Sequence, residues 1–197
     1  MMIEAILVDH LKREVDGLEV LDIGCGNGEI SAYFVERGAT VSAVDITDQR
    51  RDPSAGFQFR LTDSERIPYP DAAFDVVLSH HVIEHVVDQR LHLREIKRVL
   101  RDGGVAYLAT PNRSSPFMEG HVGNHKVLRF SAMAPLFRSA GFEATLFSAE
   151  VAGRPDEFFA EVRWARHFPS SLLRALARFF PSQMFILAPA GSRGSSS

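Results

Sequence analysis

An apolar run that ends in an acid and opens onto alternating glycines constrains this chain more than any other feature. It reads Val20-Leu21-Asp22-Ile23-Gly24-Cys25-Gly26-Asn27-Gly28-Glu29. A second apolar run, Thr40-Val41-Ser42-Ala43-Val44, delivers Asp45 21 residues after Gly24. Strand, glycine turn, helix and a second strand ending in an acid is the layout of a nucleoside-cofactor site at the head of a doubly wound sheet. Glycines let the backbone turn sharply and approach a ligand closely, because they carry no Cβ. A carboxylate at the tip of the second strand can accept two hydrogen bonds from a ribose diol.

The rest of the chain agrees with such a domain. At 197 residues it is long enough for one hydrophobic core. The single cysteine, Cys25, forms no internal disulfide and belongs to no C-x-x-C metal pattern. A net charge of −3 gives no global basic footprint, so nucleic acid is not an expected partner. The N-terminal residues lack the basic and apolar regions of a signal peptide, and no uninterrupted 18-residue apolar stretch occurs. A cytoplasmic protein is the expectation. Residues 1–190 read as one domain, and 191–197, rich in Gly and Ser, as a flexible tail or an appended remnant.

Strand and helix signals alternate along the chain. A short amphipathic helix is expected over 3–15, and strands over 19–23, 40–45, 57–61, 74–79, 105–110 and 142–148. Helices are expected over 29–37, stopped at Gly38, over 88–100, and over 131–139 with Ser131 as N-cap. In 88–100 the apolar side is Leu91, Ile96, Val99 and Leu100, with Arg94, Lys97, Arg98 and Arg101 outward. Gly103-Gly104 reads as a break before the fifth strand, and 184–188 as a possible seventh. The fold class is therefore α/β: a doubly wound, mostly parallel, Rossmann-like sheet of six to seven strands with helices on both faces. Right-handed crossovers put the C-terminal strand ends on one rim, where ligands bind.

The glycine spacing bears on the cofactor. A dinucleotide loop wants Gly-x-Gly-x-x-Gly, whereas here the third glycine comes one position early, at Gly28. Asp22, two residues before Gly24, serves a pyrophosphate poorly and a cationic ligand well. The stretch Val20–Glu29 resembles the first motif of the class I S-adenosylmethionine-dependent methyltransferases, with Asp45 where their ribose-binding acid lies. Leu61-Thr62-Asp63-Ser64-Glu65 with Ile67-Pro68-Tyr69-Pro70-Asp71 resembles their third motif. Phe74-Asp75-Val76-Val77 leading to Val82-Ile83-Glu84-His85-Val86 resembles their fourth. Arg98-Val99-Leu100-Arg101-Asp102-Gly103-Gly104 resembles the segment before their fifth strand, with Asp102 where Pro is commoner. The resemblance covers about residues 18–148.

This resemblance implies roles. Gly24, Cys25, Gly26, Asn27 and Gly28 would wrap the methionine end of S-adenosylmethionine, with Asp22 near its ammonium. Asp45 would hold the ribose, Ile46 would pack on adenine, and Asp63 and Ser64 would meet the adenine edge. Ser79 and His80 would lie by the methionine moiety. The product would be S-adenosylhomocysteine.

The acceptor is less constrained. Thr110-Pro111-Asn112, a His-rich loop and Phe130-Ser131 resemble a branch holding quinone-precursor, sugar and natural-product O-methyltransferases. Histidine is well tuned as general base for a hydroxyl acceptor. Of the eight histidines, His125 and His81 are the first candidates, then His121, with His85 as readily structural as catalytic. His121 and His125 are four apart, but Val122-Gly123-Asn124 is poor helix and no carboxylate cluster completes a metal site, so no metal is expected. Segments 113–130 and 150–182 are the candidate acceptor and lid regions. The Arg-rich aromatic stretch 158–180 reads as core, an acceptor lid, a dimer face or a membrane-surface helix.

The reading is a methyltransferase acting on a small-molecule hydroxyl, as monomer or homodimer. N-methylation and a non-catalytic S-adenosylmethionine-binding regulator or assembly protein are the rivals. A short-chain oxidoreductase is disfavoured by the glycine spacing and by the lack of a Tyr-x-x-x-Lys pair.

Overall fold

Alternation along two neighbouring strands organises this molecule. In the computed structural model, the described residues are Glu4, Leu7, Leu11, 14–62, 66–115, 126–148 and 182–191. Strands β1 (Glu19–Ile23) and β4 (Phe74–His80) lie side by side in parallel, with Asp22 opposite Leu78 and Ile23 opposite Ser79. On β1, Leu21 and Ile23 face one core and Val20 the other; on β4, Val77 faces the first and Val76 and Leu78 the second. Both faces are apolar because both are covered, as a parallel sheet requires.

The other strands are β2 (Thr40–Asp45), β3 (Gln58–Leu61), β5 (Leu100–Pro111), β6 (Phe142–Ser148) and β7 (Ser182–Pro189). Their order is β3-β2-β1-β4-β5-β7-β6, with β7 antiparallel to both neighbours and the other pairings parallel. The sheet thus has seven strands, the upper end of the expected range. Helix α1 (Glu29–Val35) packs Phe34 into the core on one face. Helices α2 (Gln89–Val99) and α3 (Phe130–Ser139) pack Leu93, Ile96, Val99, Met133 and Phe137 into the core on the other. The chain runs outward from β1 to β3 and then returns to β4 on the other side of β1. That reversal leaves a crevice at the C-terminal ends of β1 and β4, where ligands of such sheets bind.

Several local expectations change. Gly103-Gly104 does not break the chain before the fifth strand. Strand β5 starts at Leu100 and absorbs the pair through a register shift between Phe74 and Val76 on β4. Ser131 is not the N-cap of its helix; Arg129 is, and the Phe130 amide donates to Ser114 Oγ at 3.3 Å. Asp88 caps α2 by accepting from the amides of Arg90 and Leu91. Leu91 is exposed while His92 takes the buried position beside Leu93, because 92, 96 and 99 share the inward face. Arg98 is drawn inward too, donating to Glu95, Asp71 and the carbonyls of Ile67 and Tyr69. Of the expected helix over 3–15, the described Glu4, Leu7 and Leu11 are helical; the rest of 3–13 lies outside the described residues. Among the described residues no helix is long and apolar enough to cross a membrane.

Candidate active site

The glycine loop is held mainly by backbone. Beyond Ile23, the amides of Gly24 and Cys25 donate to Val44 O at 2.8 and 3.3 Å, and Gly28 N donates to Cys25 O at 2.9 Å. Gly24 has φ +67°, and a Cβ there would stand 2.5 Å from Val82 Cγ2. Gly28 has φ +82°, and its Cβ would meet the Phe57 ring at 2.8 Å. Both positions demand glycine on two counts, backbone conformation and space. Asn27 turns its side chain onto the loop and accepts from Glu29 N at 3.2 Å. Asp45 bridges loop and strand: Oδ2 accepts from Gly26 N at 2.9 Å and Oδ1 from Thr47 N at 3.2 Å. A carboxylate offers about four acceptor positions, so two remain for a diol.

Asp22 points from β1 into the α1 layer, where Ser31 Oγ donates to its Oδ2 at 2.7 Å. It is only 1% exposed, and burial pushes its pKa up to about 6, with the Ser31 bond opposing. Burial pushes the Cys25 thiol up to about 12, reinforced by the charges of Asp22 and Asp45. The thiol therefore stays protonated at neutral pH, and Cys25 serves packing rather than nucleophilic chemistry.

Beside the loop lies a pocket walled by Ile23, Val44, Val82 and Val86, with Asp45, His81 and His85 as polar groups. Ile46, also on its lining, is 65% exposed. The combination of a half-exposed carboxylate, a bare isoleucine and an apolar recess fits an adenosine.

The opposite side is assembled from side chains. Ser79 does not present its hydroxyl to the crevice; it is fully buried and pairs with His92 Nε2 at 3.1 Å in the α2 layer. Burial pushes the His92 pKa down to about 4, so the imidazole is neutral near pH 7. His80 stacks on Tyr107 at 6.1 Å between centroids and meets the His81 ring edge-on at 4.6 Å. His81 holds a left-handed backbone, φ +57°, with its amide donating to Ala109 O at 3.0 Å. Its Nδ1 is 3.3 Å from Glu84 Oε1 and its Nε2 3.5 Å from Ser182 Oγ. His85 is more open, with Nε2 4.0 Å from the same Glu84 oxygen. Glu84, 3% exposed, also accepts from Thr110 Oγ1 at 3.3 Å.

The fold therefore brings Asp22, the glycine loop, Asp45, Ile46, Ser79, His80, His81 and His85 to one rim. Asp63, Ser64, His121 and His125 lie outside the described residues, as does most of 113–130 and 150–182. Among the described residues no cluster of three or more His, Cys, Asp or Glu side chains can hold a metal. Sequence reasoning missed His92 and Ser182 and gave Glu84 no role of its own. The inward 92, 96, 99 spacing carried the signal for His92. Nothing local marks Ser182, which follows Pro181 at the start of an antiparallel strand.

A glycine cradle at the switch point of a doubly wound sheet, with an acid closing the second strand, defines a nucleoside-cofactor domain. Residues 21–108 match the family described as methyltransferase domain. The ubiquinone biosynthesis O-methyltransferase of Rhizobium rhizogenes is 34% identical over 110 residues, 52% of this chain and 44% of that protein. The malonyl-[acyl-carrier protein] O-methyltransferase of Salmonella typhimurium is 40% identical over 95 residues, 46% of this chain and 38% of that protein. This chain thus spans less than half the length of those two curated relatives. The 1,6-didemethyltoxoflavin-N1-methyltransferase of Burkholderia thailandensis, solved with 1,6-didemethyltoxoflavin and S-adenosylhomocysteine, superposes with TM-score 0.65 at 21% identity. That match covers 95% of this chain and 76% of that one, and speaks for the fold alone. Residues 21–108 are thus similar to methyltransferase domains, and the seven-stranded sheet shares the fold of the superposed enzyme.

Proposed function

We propose that this protein binds S-adenosylmethionine in the crevice between β1, β2 and β4 and transfers its methyl group to a hydroxyl oxygen of a small-molecule acceptor. The observation that carries the reading is Asp45, which ties the glycine loop to the tip of β2 and keeps acceptor capacity beside the Ile46 recess. The two O-methyltransferase relatives support oxygen as the acceptor atom.

When bound, the cofactor supplies a methyl carbon activated by a positively charged sulfur. In this reading the glycine loop holds the methionine end, and Asp22 contributes a buried charge behind it. Asp45 takes the ribose hydroxyls and Ile46 covers adenine, with Asp63 and Ser64 at the adenine edge. His80 and the backbone of Ser79 border the methionine arm. Collinear alignment of acceptor oxygen, carbon and sulfur supplies much of the acceleration. Transfer to a hydroxyl would release the acceptor's proton, which side chains of this protein would take up. The proton goes to a histidine; His81 and His85 both line the pocket, and His81 comes first because Glu84 and Ser182 face its two ring nitrogens. His121, His125 and His85 are the alternatives.

Calorimetry with S-adenosylmethionine, S-adenosylhomocysteine and NAD tests the donor site. Binding of the first two without NAD is expected, and tight binding of NAD alone overturns the reading. A turnover panel of phenols, sugars and amines then separates O- from N-methylation and from binding without catalysis. With the acceptor so found, His81→Ala is expected to slow turnover by roughly 10²- to 10⁴-fold while cofactor affinity holds. Full turnover in that variant moves the base to another histidine.

A further inference from the structure

Three elements converge on the His81 ring. Glu84 faces its Nδ1 from the turn that follows β4, at 3.3 Å. Ser182, the first residue of β7, faces its Nε2 at 3.5 Å. Thr110 of β5 steadies both partners: Thr110 Oγ1 donates to Glu84 Oε2 at 3.3 Å, and its carbonyl accepts from Ser182 Oγ at 3.4 Å. Glu84 and Ser182 are both buried, and the Lys126 amide pins the Glu84 carbonyl at 2.8 Å.

The chemistry of these partners fixes where hydrogens sit. A carboxylate only accepts, so an imidazole nitrogen facing it must carry N–H. A neutral His81 then keeps its lone pair on Nε2, the form a general base needs. Ser182 has one hydrogen and two acceptors in reach, His81 Nε2 and Thr110 O. It donates to Nε2 while the ring is neutral, and swings to Thr110 O when Nε2 gains a proton. No backbone need move between the two states.

We propose that Glu84 is the positioning residue that locks His81 in its Nδ1–H tautomer, with Ser182 as the hydroxyl rotor that accommodates the arriving proton. The assignment rests on His81 being the base of the proposed transfer, but the tautomer is measurable without any acceptor. Of the two imidazoles beside Glu84 Oε1, His81 stands nearer. His85 Nε2 stands farther from that oxygen, at 4.0 Å, and His80 meets the His81 ring edge to face.

Long-range proton–nitrogen NMR on the full chain at alkaline pH reads the tautomer directly, with His81 assigned by loss of its signals in His81→Asn. The wild type is expected to show Nδ1–H. Glu84→Ala is expected to shift the ratio toward Nε2–H by about tenfold or more, the worth of one hydrogen bond to a charged group. Glu84→Gln, whose amide oxygen still accepts, is expected to retain most of the wild-type pattern. If Glu84→Ala does not fold, Thr110→Val loosens the carboxylate and is expected to shift the ratio in the same direction. An Nε2–H ring in the wild type, or an unchanged ratio in the variant that folds, overturns the assignment. Full turnover in His81→Ala beside a Glu84-dependent tautomer overturns the base reading and leaves the positioning of the ring standing.

Discussion

Two polar pairs flank the crevice on opposite faces of the sheet, and they are built alike but behave oppositely. On the α1 face, Asp22 of β1 takes the Ser31 hydroxyl; on the α2 face, Ser79 of β4 meets His92. Each joins a strand end to the helix that follows it, and each titratable member is buried. Burial favours the neutral form in both cases, raising Asp22 to about 6 and lowering His92 to about 4. Near pH 7, His92 is therefore neutral and relaxed, while Asp22 is a buried charge held against its own preference. The two pairs differ in this respect. Strain of that kind persists where a ligand later compensates it, as a cationic methionine end would.

The largest effect expected from this contrast concerns the loop in front of Asp22. Gly24→Ala forces a left-handed alanine, at about 1–2 kcal/mol, and drives a methyl into Val82. The same displacement moves the loop out of register with the cofactor. Affinity for S-adenosylmethionine by calorimetry is expected to fall by about 100-fold or more. Wild-type affinity in Gly24→Ala breaks the comparison, because the donor side would then not be a backbone cradle at all.

Next in size is the strain on Asp22 itself. Its folded pKa lies above the ordinary 3.8, so its contribution to stability is fully present below that value and is lost as pH rises through about 6. Asp22→Asn is thus expected to stabilise the ligand-free protein by about 2–3 kcal/mol near pH 8, and by almost nothing near pH 3. His92 works in the other direction: its folded pKa is depressed, so its contribution is present above the ordinary 6.5 and is lost as pH falls toward about 4. In the wild type the two slopes largely cancel between those limits. In Asp22→Asn the His92 slope stands alone, and stability measured by denaturant is expected to drop through the same interval. A pH-independent gain from Asp22→Asn removes ionisation of Asp22 as the source of the strain.

Those effects also explain what could be read from the chain before its structure. The glycine loop, Asp45 and Ile46 are neighbours in sequence or joined by one strand–helix–strand unit, so spacing alone places them. Strand boundaries for β1 and β2 follow from short apolar runs between unambiguous turns. The histidine side is different in kind. His81, Glu84, Thr110 and Ser182 come from three strand ends and one turn, and Ser182 enters only because β7 runs antiparallel beside β5. Local pattern carries no trace of such long-range pairing. The burial of His92 and the exposure of Leu91 were a matter of helical phase, decided by which neighbour the sheet covers. Gly103-Gly104 misled for a related reason: a sheet that continues on both sides absorbs a glycine pair as a register shift.

The smallest expected effect separates a functional histidine from a structural one. His81 adopts φ +57°, a region that histidine tolerates but asparagine favours. His81→Asn keeps a donor that can reach Glu84 and relieves the backbone, while deleting the basic nitrogen. Thermal and denaturant unfolding are expected to show a gain of about 0.5 kcal/mol, with turnover lost. A fold retained at the expense of local comfort is what a residue placed for chemistry leaves behind. If His81→Asn instead loses more than about 1 kcal/mol, the ring is there to fill space between Glu84 and Ser182, and the contrast between the two sides of the crevice collapses into one of packing.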